Sequence, residues 1–391
     1  GEPTTKGIWR NEICFIGDDE DGNLHMRQAD QLASKVRDLH PGFKINKIYL
    51  DAYKQEQGAT GYRYPDVNRA INEQINRGAL IVNYTGHGGP TGLAHEQILT
   101  MNDIFSWTNK NSLPLIMTAT CEFSRYDEYD YSQDQEITTA GEEVLLNPNG
   151  GGVGLFTTTR LVYAGPNFVL NEKFYDIVFS KDTNNQNYRL GDIIAYSKNN
   201  TGAGINKRNF ALLGDPSMKL AMPEHIVVTD SINGIDIDSS LDTLSAFEKV
   251  TVAGHLETFD GQSLNSYEGR VFPIVFDKVN NVETLSNDNG QAWNFESRNT
   301  ILYKGETTVQ EGRFFFEFII PKDINYSVGD GKIIYYSNND MIDAHGSTEG
   351  FKVGGIRKDY VADNIPPEIE VFLNDSFFIS GGITDKDPEL L

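Results

Sequence analysis

Two side chains in this 391-residue chain are spaced to do chemistry together. His87 sits inside Thr85-Gly86-His87-Gly88-Gly89, and Cys121 inside Thr120-Cys121-Glu122. Each follows at once on a short apolar run, residues 79–84 and 114–119, that reads as a buried strand. In an open α/β sheet the ligand crevice lies just beyond the carboxyl ends of the strands. A histidine and a cysteine delivered to that edge form a candidate dyad, because a thiol needs a nearby base to raise its thiolate fraction at neutral pH. The chemistry this predicts is acyl transfer through a thioester, as in a cysteine peptidase. The competing interpretation makes His87 an ordinary loop residue and Cys121 a structural thiol; position at two strand ends favours catalysis.

The neighbours supply further roles. Gly86, Gly88 and Gly89 remove side chains around His87, so the backbone can turn sharply and a substrate can come close. The N–H groups of Gly88 and Cys121 are candidates for stabilising an oxyanion. For a carboxylate that orients the imidazole, Asp18 and Asp19 lead, because they follow the first strand in Gly17-Asp18-Asp19-Glu20-Asp21-Gly22-Asn23; Asp51, closing the second strand, comes next. The same loop spaces Asp19, Asp21 and Asn23 as alternating oxygen ligands, which allows a structural calcium, although Leu24 stands where a helix–loop–helix calcium site needs glycine. No cofactor is required. Asp127, Glu128, Asp130 and Asp134 read as a polar loop or a contact for a basic substrate. His95 and His25 read as surface or packing residues. Without His-Glu-x-x-His or clustered Cys/His spacing, no zinc site is expected. Ser124 lacks a Gly-x-Ser-x-Gly frame.

The elements that must position these residues alternate. Strands are expected at 13–16, 45–50, 79–84, 114–119 and 153–157. Helices are expected at 24–39, with Leu24, Leu32, Val36 and Leu39 on one side, and at 65–76, 102–107, 137–146, 167–179 and 190–199. Such alternation implies a mostly parallel sheet with helices on both faces. After about residue 223 the pattern changes to period two, as in Phe314, Phe316, Phe318 and Ile320, with strands expected at 249–252, 272–276 and 333–336. This predicts an antiparallel, immunoglobulin-like β-sandwich. The expected division is an α/β domain over 1–223, a sandwich over 224–360, and a linker with the start of a truncated further β module over 361–391.

Composition closes off other classes. A net charge of -23 repels a phosphate backbone, so no nucleic-acid partner is expected. No run of about 18 apolar residues appears, so no membrane-spanning helix is expected. Cys14, in an apolar strand, reads as a small core residue, and two cysteines make no disulfide framework.

Residues 81–88 (Ile-Val-Asn-Tyr-Thr-Gly-His-Gly), Leu113-Pro114-Leu115-Ile116 with Cys121, and Leu213-Gly214-Asp215-Pro216-Ser217 together resemble the gingipain family of cysteine peptidases. Downstream, residues 272–278, 321–327 and 372–375 are similar to the sortases of type IX secretion within that family. The resemblance implies a caspase-like α/β fold with His87 as the base and Cys121 as the nucleophile. It places Tyr163 at an aromatic wall of the P1 pocket and Glu122 at the substrate side. It further implies an extracytoplasmic enzyme at the cell surface or outer membrane. Its expected substrates are proteins bearing C-terminal sorting domains, with secretion components and an anionic lipopolysaccharide acceptor as partners. Gingipains carry an additional α/β subdomain before the catalytic one, whereas Trp9 here begins almost directly at the expected catalytic domain, and basic-residue specificity does not carry over.

Overall fold

The computed structural model describes residues 5–59, 61–130, 132–287, 290–339 and 341–357. The linker and further β module expected over 361–391 lie outside the described residues.

Six strands build the first sheet: β1 (Glu12–Gly17), β2 (Lys44–Tyr49), β3 (Ile81–Thr85), β4 (Leu115–Ala119), β5 (Gly154–Thr158) and β6 (Phe210–Gly214). Their order is β6-β5-β4-β3-β1-β2, all parallel except β6, which runs antiparallel to β5. The strands alternate sides as strands must. Ile13, Phe15, Ile81, Leu115, Met117 and Phe156 face a core closed by helices α1 (Glu20–Leu39), α5 (Ala164–Ile177) and α6 (Leu190–Asn199). Cys14, Ile16, Val82, Tyr84, Ile116 and Leu155 face a second core closed by α2 (Pro65–Arg77), α3 (Met101–Ser106) and α4 (Ala140–Leu146). The doubly covered α/β architecture is therefore as expected. Cys14 is a fully buried free thiol, and burial pushes its pKa up to about 12.

Three local readings change. The helix expected from residue 137 begins at Ala140, because the Thr139 hydroxyl and N–H both donate to Glu142 (2.7 and 2.8 Å) in a capping box. The edge strand β6 was not anticipated. In α1, Leu24 and Leu39 are exposed (39% and 63%), and Met26, Ala29, Leu32, Ala33 and Val36 carry the buried face instead. For Leu24 the reason lies at the helix start: Asp21, Gly22 and Asn23 all have left-handed backbone (φ 56°, 64° and 66°), so the right-handed helix takes its phase only after them, while Leu39 is the last helical residue.

The second region is antiparallel. Strands β7 (His225–Ile232), β8 (Lys249–Glu257), β9 (Gly269–Phe276), β10 (Arg313–Ile319), β11 (Lys332–Asn338) and β12 (Asp343–Thr348) dominate a nine-stranded sheet. A parallel pairing of His225 and Ile226 with Ala344 and His345 joins β7 to β12 and closes the sheet around one core. Val250, Val252, Val271, Val275, Phe314, Phe316, Phe318 and Tyr335 fill it. A hairpin arm, Asn280–Glu283 paired with Asn294–Ser297, reaches back to the first sheet. Trp293 and Phe295 of the arm lie against Tyr49 of β2 (ring centroids 6.2 and 4.8 Å). Asp51 is buried and accepts the N–H groups of Ser286 (3.0 Å) and Asn287 (2.7 Å).

Candidate active site

Strand register brings His87 and Cys121 to one edge. Gly17 pairs with Thr85, and Thr85 pairs with Ala119, so three neighbouring strands end in a row. The ladder runs one step further, with Asp18 N–H donating to the Thr85 carbonyl (3.0 Å) and Gly86 N–H to that of Ala119 (3.3 Å). His87 lies two residues past Thr85, and Cys121 two residues past Ala119. Both are partly exposed, unlike the strand residues behind them. A Cβ on Gly86 would sit 2.3 Å from Asp18 Cβ and 2.5 Å from the Tyr84 hydroxyl, and one on Gly88 would sit 2.7 Å from Thr120 Oγ1. These two glycines let the His87 loop press against the ends of β1 and β4.

The His87 loop is then fixed by hydrogen bonds. Its N–H donates to Asp18 Oδ2 (2.7 Å), and its carbonyl accepts from the Tyr84 hydroxyl (2.6 Å) and Ala94 N–H (2.9 Å). Beyond it a small antiparallel flap pairs Gly88–Gly89 with Gly92–Leu93, and the latter with Leu99–Thr100. A groove of about 510 Å³ runs along this flap, lined by Gly88, Gly89, Gly92, Leu93 and His95 among others.

Around the imidazole, the carboxylate nearest Nε2 is neither Asp18 nor Asp19. Asp21 Oδ2 stands 3.1 Å from His87 Nε2, and Glu20 Oε2 stands 3.6 Å away. This corrects the sequence expectation. Asp18, fully buried, spends its hydrogen bond on the His87 main chain; burial pushes its pKa up, and that N–H opposes the rise. Asp19, also buried, takes the Tyr64 hydroxyl, and burial raises it to about 7. Asp51, the other alternative, is committed to the arm. The missed signal was Asp21-Gly22-Asn23 itself, a run of the residue types that best tolerate left-handed backbone. That turn swings Asp21 back over the sheet edge. It is held from below, since buried Asn23 donates from Nδ2 to the Gln291 carbonyl of the arm (3.0 Å). Asp19, Asp21 and Asn23, spaced for calcium, thus each meet a different partner.

Two more histidines flank His87. His95 stacks on it (centroids 5.3 Å, 17°) and bonds Glu20 Oε1 through Nδ1 (2.7 Å), which raises its pKa. His25 meets it edge-on at 5.1 Å and is buried, and that burial lowers its pKa.

Cys121 Sγ donates to the Val162 carbonyl at 3.5 Å. Glu122 follows with left-handed backbone (φ 53°); its N–H donates to the Arg160 carbonyl (3.4 Å) and its carboxylate accepts from Arg125 (3.2 Å). Tyr163 is 72% exposed and Leu161 68%, so both flank the carbonyl that takes the thiol. Asn206 pins Tyr163 through its N–H and carbonyl (3.3 and 3.1 Å), and Asn209 donates to the Leu161 carbonyl (2.9 Å). Leu161 was not anticipated; nothing in a single exposed leucine signals a site. The second acidic cluster is dispersed rather than convergent: Asp127 binds Arg160 (2.6 Å), Glu128 binds Arg125, Asp130 accepts the Ser132 N–H (2.8 Å) and Asp134 accepts the Tyr129 hydroxyl (2.5 Å). Ser124 is fully buried against Thr157 (3.0 Å).

Among the described residues, no helix is long and apolar enough to cross a membrane. The sequence model for peptidase family C25 matches residues 2–221, more than half of the chain. Among curated proteins, none matches the chain. Solved structures similar to it include the Arg-specific cysteine proteinase gingipain R, RgpB (16% identity, TM-score 0.44, covering 89% of this chain and 68% of that one). A complex of Porphyromonas gingivalis RgpB pro- and mature domains is similar at 15% identity and TM-score 0.43, covering 89% and 70%. Dimeric latent PorU from Porphyromonas gingivalis is similar at 19% identity and TM-score 0.37, covering 94% of this chain but only 45% of that one.

Proposed function

Since the chain belongs to peptidase family C25, we propose that it cleaves peptide bonds through a Cys121 acyl-enzyme, with His87 as the base. The observation that carries this is register: the two residues stand equal steps beyond paired Cα positions, Thr85 and Ala119. Asp21 accepts the Nε2 proton of His87, which leaves the Nδ1 lone pair to take the thiol proton. The thiolate attacks the carbonyl carbon, the Gly88 and Cys121 N–H groups receive the oxyanion, and the imidazolium returns its proton to the departing amine. Water or an acceptor amine then resolves the thioester, so hydrolysis and transpeptidation share one intermediate. The Gly88 flap and the exposed Leu161 and Tyr163 are the surfaces offered to substrate, with Glu122 beside them. No cofactor enters this scheme.

The finer reading is a sortase at the bacterial cell surface or outer membrane. It cuts C-terminal sorting signals from proteins of type IX secretion and passes the acyl group to an anionic lipopolysaccharide. The resemblance of residues 272–278 and 321–327 to type IX sortases supports it, and the match to PorU spans 45% of that chain's length.

One observation favours a second reading, a non-catalytic scaffold of a secretion assembly: the Cys121 thiol rests on the Val162 carbonyl rather than on His87. Catalysis requires it to rotate away. The alkylation rate of each cysteine by iodoacetamide between pH 5 and 9, in wild type and His87→Ala, separates the two. Cys121 is expected to react far faster than buried Cys14 and to lose that advantage in the variant. A Cys121 indifferent to His87 overturns the peptidase reading. Cleavage of sorting-domain proteins but not of free peptides then supports the sortase assignment, and broad peptide cleavage rejects it.

A further inference from the structure

His25 is anomalous for a buried polar side chain. It is 5% exposed, yet neither ring nitrogen has a hydrogen-bond partner. An imidazole carries one N–H and one lone pair, and burying both unpaired costs free energy that native proteins rarely leave uncompensated. Its Nε2 is nevertheless 3.3 Å from Asp21 Oδ2, without the angle of a hydrogen bond. The same oxygen is 3.1 Å from His87 Nε2, and the three atoms all lie within 4.8 Å of one another. For a tetrahedral metal with bonds of about 2.0–2.1 Å, the ligand–ligand edge is about 3.3 Å. Two edges of the His25–Asp21–His87 triangle already have that length.

We propose that Asp21, His25 and His87 bind a divalent transition-metal ion of the zinc class, and that the bound metal silences the dyad. The ion would sit between His25 Nε2, His87 Nε2 and Asp21 Oδ2. Its fourth position faces Glu20 Oε2, 3.6 Å from His87 Nε2, or water. Two imidazoles and a carboxylate are a donor set for zinc, cobalt or nickel; calcium takes oxygen ligands and is disfavoured here. Buried Asp18, Asp19 and Glu96 cluster close behind the site, Asp18 through its bond to the His87 main chain. A metal on Nε2 gives that buried lone pair the electron acceptor it lacks.

The silencing follows from tautomers and rests on the dyad described above. In the resting enzyme the His87 proton is on Nε2, facing Asp21, and the Nδ1 lone pair serves as base. A metal takes the Nε2 lone pair, so the ring proton moves to Nδ1 and no net proton is released from a neutral ring. With metal on one nitrogen and hydrogen on the other, the imidazole has nothing left to accept the Cys121 proton. No bond to sulfur is needed.

The test uses the whole chain stripped with chelator, then titrated with cobalt(II) while the visible d–d bands are followed, and with zinc by calorimetry. Wild type, His25→Phe, Asp21→Asn and Cys121→Ser are compared, with thermal melts to confirm that each folds. Expected are one ion per chain, tetrahedral cobalt bands, unchanged affinity in Cys121→Ser, and affinity at least ~10-fold weaker in both His25→Phe and Asp21→Asn. Because Asp21 is half exposed, its variant remains informative should His25→Phe fail to fold. Loss of binding in Cys121→Ser, or full affinity in Asp21→Asn, overturns the site. Zinc should also slow Cys121 alkylation in wild type, with its midpoint moved upward in His25→Phe relative to that variant's own metal-free rate. Metal bound at Asp21 and His25 with no slowing of Cys121 overturns the silencing and, with it, the base role of His87. Absent metal binding leaves the peptidase reading standing and removes only this proposal.

Discussion

At the scale of single residues, the meeting of His87 and Cys121 at one sheet edge was legible because a strand end is a strong sequence signal and both residues lie just past one. The carboxylate beside the imidazole was not, because its position depends on backbone handedness. Asp18 and Asp19 come first after β1, yet the left-handed turn carries Asp21 to the imidazole instead. Asp21→Asn keeps the shape and removes the charge, so kcat should fall roughly 10- to 100-fold with KM nearly unchanged, as expected for a group that orients a general base. Equal loss in kcat and gain in KM would assign it to substrate binding. Asp19 gives a stability prediction. Burial raises its pKa to about 7 in the folded chain, above the ordinary value of 3.8, so the native state holds more protons than the unfolded state between those limits. Its contribution therefore favours folding at low pH and is lost as pH rises from about 4 through 7. Asp19→Asn should flatten the fall in melting temperature across that window; an unchanged slope would refute the assignment.

At the scale of elements, the sheet strands and long helices followed from periodicity, while short or capped elements did not. Strand β6 is five residues at an antiparallel edge, where a run such as Phe-Ala-Leu-Leu-Gly reads equally as a closing loop. Thr139 and Glu142 do carry a capping-box spacing, and weighing it above the apolar pattern would have placed the start of α4 correctly. Two glycines near the site test what the elements demand. Gly22 has positive φ but open space around it, so Gly22→Ala should cost about 1 kcal/mol, from backbone strain alone. Gly86→Ala drives a methyl into Asp18 and Tyr84, which calls for a shift of the His87 loop and a cost of about 2–3 kcal/mol. Denaturant unfolding ranks the two, and the reverse order would mean that the loop yields freely. Gly86→Ala should also lose activity even where it is fully folded, since His87 N–H and Asp18 are displaced together.

At the scale of the whole molecule, the change of texture near residue 223 falls between β6 and β7, but nothing in the alternating pattern that follows announced the arm. Long-range contacts between polar main-chain groups leave no periodic trace. Asp51 lies in the short turn Leu50–Ala52 just past β2, and its carboxylate serves the arm rather than the imidazole. Removing it in Asp51→Ala takes the acceptor from two partly buried N–H donors, at a cost of about 1–3 kcal/mol. Limited proteolysis should then cut first within residues 285–293; a cleavage pattern like that of wild type would show the arm to be held by Trp293 and Phe295 instead.

The arm also sets a clock. β2 is an edge strand, and the residues that shield it, Trp293 and Phe295, come almost 250 positions later in the chain. During synthesis the α/β sheet can form with that edge bare, a template for pairing with other chains, until the arm has been made and has wrapped back. A chain stopped at residue 223 should accordingly associate, whereas one continued to residue 357 stays apart. Asn23 likewise meets the Gln291 carbonyl only once the arm is in place, so the Asp21–Asn23 turn gains its last anchor late in synthesis.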